Sequence, residues 1–259
     1  MERFNKLQEW SIYEFDKKFF VEPESRHEMV MEKIRDVIKT YNPKVIVKAG
    51  LGNGSVLLDL VNELKGVTLV IVEPSLKIME NFLAANATNE KLKDVGFING
   101  DFRNLPVDYY AADLIISIDN LDVQETAPVI DEFRRALQFD GHLLFAGIIL
   151  DDEDIDGVYD DFIRGIFPLH NDYYIKDDLK TFMNLKEFSF IKGKVESFEY
   201  NIEEIVSHIK GLYGLDSFNP LEYIEENRSV FTELYGMNEG KIFIPYFTGL
   251  FMRRKVHSN

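Results

Sequence analysis

Apolar positions along the first 150 residues fall into short unbroken runs separated by stretches with helical spacing. Ser25-Arg26-His27-Glu28 reads as a capping box, with Ser25 as N-cap and Glu28 at the third helical position. The helix it opens runs to about Thr40, with Met29, Ile34, Val37 and Ile38 on one stripe, and Tyr41-Asn42-Pro43 stops it. Lys44–Ala49 is rich in β-branched residues and predicts a strand covered on both faces. Helices over Ser55–Leu64, Leu76–Ala87 and Glu125–Gln138 then alternate with strands over Val67–Val72, Val95–Asn99, Asp113–Ile118 and within Gly141–Leu150. Such alternation with short turns predicts right-handed βαβ crossovers and a parallel sheet.

Beyond Leu150 the pattern loosens. Residues 151–170 read as an acidic, aromatic loop or lid, and Lys176–Leu185 as a helix. Phe188–Tyr200 reads as a strand, Ile202–Leu212 and Pro220–Tyr235 as two helices, and Lys241–Arg254 as a last strand. The expected organisation is an N-terminal helical cap over residues 1–40 and one domain over residues 41–259, carrying a lid at 151–175 and a helical insertion at 201–236. Phe4, Trp10, Tyr13, Phe15, Phe19 and Phe20, together with the 201–236 helices, are candidates for a partly apolar substrate cover.

Composition narrows the function classes. A net charge of −16 over 259 residues repels phosphate backbones, so nucleic acid is not the expected partner. With no cysteine there is neither a disulfide framework nor a thiolate zinc site, which fits a reducing compartment. The first residues lack an apolar core for a signal peptide, and the run Leu143–Leu150 is too short to span a bilayer. A cytoplasmic protein acting on a small molecule, with no membrane partner, is expected.

Three signals carry the chemistry. Gly50-Leu51-Gly52-Asn53-Gly54 follows the first strand and opens a helix, so its backbone can approach a ligand where side chains would block it. Glu73 ends the second strand, where a carboxylate can accept both hydroxyls of a ribose. Asp101, in Gly100-Asp101-Phe102 after the third strand, can accept from an exocyclic adenine amine or act as a turn cap. Dinucleotide enzymes use G-x-G-x-x-G; here Ser55 stands at the last position, which argues against a nicotinamide dehydrogenase.

In this order, Val45 to Gly54, Val70 to Ser75, Asn99 to Phe102, Ala112 to Ser117, and Phe133 to Leu137 ahead of Asp140-Gly141-His142-Leu143-Leu144, the chain resembles the class I methyltransferases that depend on S-adenosylmethionine (SAM). The resemblance covers residues 30–150 and, more loosely, Ile175–Tyr200. It implies a Rossmann-like, doubly wound α/β fold: a mostly parallel seven-stranded sheet with helices on both faces and an antiparallel last strand. It implies that Gly50, Gly52 and Gly54 cradle the methionine part of SAM and that Glu73 holds the ribose. Asp101 and Phe102 would frame the adenine, Pro74 or Ile78 would lie against its face, and Ser117 would lie near the sulfonium methyl. Family members carry an acid two positions before the first glycine, where this chain has Lys48. That departure leaves a second reading: a non-catalytic protein of the same fold, regulatory or interacting, with weakened SAM binding.

Candidates for a base are Asp119, after the fourth strand, and His170, in the expected lid. Asp152-Glu153-Asp154-Ile155-Asp156-Gly157 matches the opening of a calcium loop, but the twelfth position is Ile163 rather than glutamate, so no metal is expected.

Overall fold

The computed structural model describes residues 24–167, 169–213 and 218–255. The N-terminal aromatics named above lie outside the described residues. Seven strands form one sheet: β1 (Val45–Ala49), β2 (Thr68–Glu73), β3 (Val95–Asn99), β4 (Ala112–Ile118), β5 (Leu137–Ile148), β6 (Phe188–Asn201) and β7 (Lys241–Arg253). Their spatial order is β3-β2-β1-β4-β5-β7-β6. The pairs from β3 to β5 are parallel, and β7 runs antiparallel to both β5 and β6.

Helices lie on both faces because both faces of the central strands are apolar. On one face α1 (Glu24–Tyr41), α2 (Ser55–Glu63) and α3 (Leu76–Ala85) bury Val30, Ile34, Leu57, Leu60, Ile78 and Phe82 against Ile46, Ile71 and Leu114. On the other, α4 (Thr126–Ala136) and α6 (Lys176–Leu185) bury Val129, Ile130, Phe133, Leu179 and Met183 against Val47, Val72 and Ile115. Two helices differ from expectation at their starts. Ser25 lies inside α1 rather than capping it. Within the segment read as a loop, α5 (Val158–Ile166) forms because Tyr159, Phe162, Ile163 and Ile166 share a buried face. The acidic composition of residues 151–156 masked that spacing.

Asp154 starts α5, accepting the N–H groups of Val158 at 2.8 Å and Tyr159 at 3.0 Å and the Tyr235 hydroxyl at 2.6 Å. The calcium-like motif therefore works as a buried helix cap. The remaining helices are α7 (Ile202–Tyr213), α8 (Pro220–Glu226) and α9 (Arg228–Glu233); the single helix expected over Pro220–Tyr235 is interrupted at Asn227. Among the described residues no helix is long and apolar enough to cross a membrane.

Register is what builds the site. Ala49 pairs with Val72 on one side and with Ser117 on the other, so β1, β2 and β4 end level with one another. The strand order reverses between β1 and β4, and ligands of open α/β sheets sit at such a switch point, beyond the carboxyl ends.

Candidate active site

The chain places a different polar group after each of these three strands. After β1, Gly50, Gly52 and Gly54 adopt φ of 77°, 61° and 81°. A side chain in that region costs about 1–2 kcal/mol per residue. At Gly50 the demand is also steric, since a Cβ would lie 2.5 Å from Asn120 Oδ1. Asn120 is itself fixed, donating to the Ala49 carbonyl at 2.6 Å. At Gly52 a Cβ would meet nothing within 4 Å, so the crown of the loop faces open space.

Glu73 ends β2 and is 5% exposed. One carboxylate oxygen accepts the Leu51 N–H at 2.7 Å and the other accepts the Ser75 N–H at 2.8 Å. Burial pushes its pKa up; the two N–H donors and the Lys48 charge oppose that shift. A carboxylate offers about four acceptor positions, so two remain for a pair of hydroxyls. Lys48 points into the same corner. Its buried ammonium donates to the Gly50 carbonyl and to the Leu51 carbonyl at 3.5 Å, bracing the glycine loop by its carbonyls.

The residues expected to frame the adenine divide between the two cores, Ile78 packing on the α1–α3 side of the sheet and Phe102 on the α4 side. Gly100 N–H donates to the Glu73 carbonyl at 3.2 Å, which joins the end of β3 to the end of β2. Asp101 caps the turn at Phe102–Asn104 and pairs with Arg103 at 2.7 Å. The Phe102 ring is buried, 6.5 Å from that of Phe133. Pro74 is buried, and Ile78 is buried in the first turn of α3, its N–H on Ser75 Oγ at 3.2 Å.

Near the end of β4, Ser117 is buried and its Oγ has no hydrogen-bond partner among the described residues. Asp119 sits at φ 51° and pairs with Arg26 of α1 at 3.2 Å. That guanidinium also donates to the Tyr200 hydroxyl and lies 4.8 Å from the centre of the Tyr246 ring. His170 is brought near but behind this edge. Its Nε2 lies 2.6 Å from Asp160 Oδ1, and its ring centroid lies 4.3 Å from that of Tyr173.

Sequence reasoning missed Asp122. It lies in a short helical turn after Asn120, 9% exposed, and one of its oxygens has no partner among the described residues. Burial, reinforced by the nearby Asp119 charge, pushes its pKa up to about 8. No sequence signal separates it from the solvated acids that fill this chain; only the packing of residues 171–174 over it does, with Asn171 N–H donating to its carbonyl at 2.5 Å.

The comparisons with known proteins concern the fold that carries this site. The family model for a methyltransferase domain matches residues 46–141. Over that segment the chain is similar to methyltransferase domains. No curated protein matches the sequence. A provisionally assigned methyltransferase from Bacillus halodurans C-125 superposes with a TM-score of 0.70 at 14% identity, over 87% of this chain and 99% of its own. The geranyl diphosphate C-methyltransferase of Streptomyces coelicolor A3(2), solved with Mg2+, geranyl diphosphate and S-adenosylhomocysteine, gives 0.65 at 12% identity, over 98% and 99%. The [4+2]-cyclase SpnF gives 0.61 at 11% identity, over 93% and 84%. At these identities the likeness is one of fold, and the methyltransferase fold carries more than one chemistry.

Proposed function

We propose that the protein binds SAM across the glycine loop and Glu73 and transfers its methyl group to a small molecule. The observation that carries this reading is the joining of Glu73 to the loop through the Leu51 N–H at 2.7 Å. It fixes an acceptor carboxylate beside a backbone that leaves room for a ligand. In this reading Gly50, Gly52 and Gly54 line the methionine part, Glu73 accepts the ribose hydroxyls, and Pro74, Ile78, Asp101 and Phe102 border the adenine. Ser117 lies nearest the sulfonium. SAM supplies an electrophilic methyl group; the chain's part is to hold the acceptor in line with it and to exclude water. Asp119 and His170 remain the candidate bases. Asp119 borders the cavity beyond β4, whereas His170 is held by Asp160 and acts at most through a neighbour. Incubation with methyl-tritiated SAM and a panel of small amines, alcohols and carboxylates tests the reading. Label in an acceptor supports it; SAM that binds but never donates to any of them argues for the second reading.

That second reading, a non-catalytic protein with weak SAM affinity, is favoured by Lys48 alone. It requires Lys48→Asp to strengthen binding.

A further inference from the structure

Beyond β4 and β5, Asp119, Asp122, Phe145, Ile148 and Tyr173 enclose about 20 Å3 of free space that opens toward solution. That is room for one water-sized group. Two side chains on its wall are more than nine-tenths buried and leave polar atoms unpartnered among the described residues: one oxygen of Asp122 and the hydroxyl of Tyr173. Both can accept hydrogen bonds. A carboxylate and a phenol oxygen left without partners beside such a space make a poor seat for an anion and a costly one for nothing at all.

We propose that this cavity is the seat of a primary ammonium head, so that the methyl acceptor is a small amine; this rests on the methyltransferase reading. An ammonium is close to water in size and is a donor only, which matches two unpartnered acceptors. Aromatic rings favour a cation on their faces, and Phe145 and Tyr173 supply them. The groups facing Asp122 are Asp119 on its own loop, Arg26 from α1, Asp160 from α5, and Tyr173 after α5. The one cation among them, Arg26, is engaged with Asp119, Tyr200 and Tyr246. At neutral pH Asp122 holds a proton, which passes to water as an arriving ammonium takes its place beside the carboxylate. The bound ammonium must then lose a proton before its nitrogen has a lone pair. R–NH3+ and the Asp122 carboxylate give R–NH2 and the Asp122 carboxylic acid, so protons and charge balance.

The test reads Asp122 itself. In protein labelled with 13C at aspartate carboxyls, the Asp122 resonance is identified by its loss in Asp122→Asn or, should that variant not fold, in Asp122→Ser. Its titration midpoint is measured alone and with on the order of 0.1 M propylammonium, 1-propanol, tetramethylammonium or sodium chloride, a range suited to millimolar affinities. The midpoint is expected to fall by about one pH unit with propylammonium only, equivalent to roughly tenfold preference for the ionised form. Tetramethylammonium, too large for the cavity, and 1-propanol leave it in place. A midpoint untouched by propylammonium means the cavity holds a buried water only, and an equal fall in sodium chloride means a general ionic effect only. Either result overturns the proposal. S-adenosylhomocysteine is titrated into the same samples; failure of that titration alone refutes the methyltransferase reading and leaves the cation seat standing.

Discussion

Glu73 accepts the Leu51 N–H at 2.7 Å and so ties the end of β2 to the glycine loop that follows β1. Glu73→Gln keeps the shape but turns an N–H against one of the two backbone donors. We expect a loss of about 1–3 kcal/mol of stability, read as a drop of several degrees in melting temperature. Affinity for S-adenosylhomocysteine is expected to fall at least roughly tenfold, the equivalent of one ribose hydrogen bond to a charged acceptor. Because burial raises the Glu73 pKa, protonation on acidification starts above the ordinary glutamate range. Affinity in the wild type therefore falls as the pH is lowered toward that range, and in Glu73→Gln it stays flat. Calorimetry across pH checks both.

Lys48 separates the two functional readings. Its ammonium donates to the Gly50 and Leu51 carbonyls and its charge favours ionised Glu73. Lys48→Met is expected to lose about 1–3 kcal/mol through the orphaned carbonyls. Lys48→Asp sets a carboxylate against them and against Glu73, so it is expected to melt lower still and to bind S-adenosylhomocysteine more weakly. Thermal denaturation and calorimetry on the two variants decide the matter, since tighter binding by Lys48→Asp is what the non-catalytic reading demands.

The glycine loop predicts an asymmetry between neighbours. Gly50→Ala meets Asn120 and has φ 77°, whereas Gly52→Ala meets no atom within 4 Å and bears only the strain of φ 61°. Gly52→Ala is expected to cost about 1–2 kcal/mol. Gly50→Ala is expected to cost more and to displace Asn120 from the Ala49 carbonyl. Chemical denaturation of the two variants measures the difference.

The parallel half of the sheet was legible because short apolar runs alternate with turns and helically spaced stretches from Val45 to Ile118. The loop and the acid at its side were legible for the same reason: both are fixed by strand ends. Residues whose role depends on contacts from distant segments were not. Arg26 reaches Asp119 across 93 positions, and no local pattern announces such a pairing. Asp154 read as one acid of an acidic loop because composition does not reveal that Val158, Tyr159 and Tyr235 donate to it. Asp122 is one acid among 45 Asp and Glu residues, and only its burial with an oxygen left unpartnered among the described residues distinguishes it.

Asp122 also sets a pH dependence of stability. Its folded pKa, pushed up to about 8, lies above the unfolded value of 3.8. Between these limits the folded protein holds a proton that the unfolded chain has released, so stability falls as pH rises through the window. Asp122→Asn removes that penalty. Its stability is expected to exceed the wild type's above pH about 8, by about 1–3 kcal/mol once water penetration tempers the burial cost, with a higher melting temperature, and to match it near pH 4. Scanning calorimetry at the two extremes checks the sign.

The most direct measurement is isothermal calorimetry of the wild-type protein with S-adenosylhomocysteine. One site per chain with micromolar to sub-millimolar affinity, lost in Glu73→Gln, is the predicted result. A flat titration at millimolar ligand would contradict the assignment of the loop at 50–54 and Glu73 as a cofactor site.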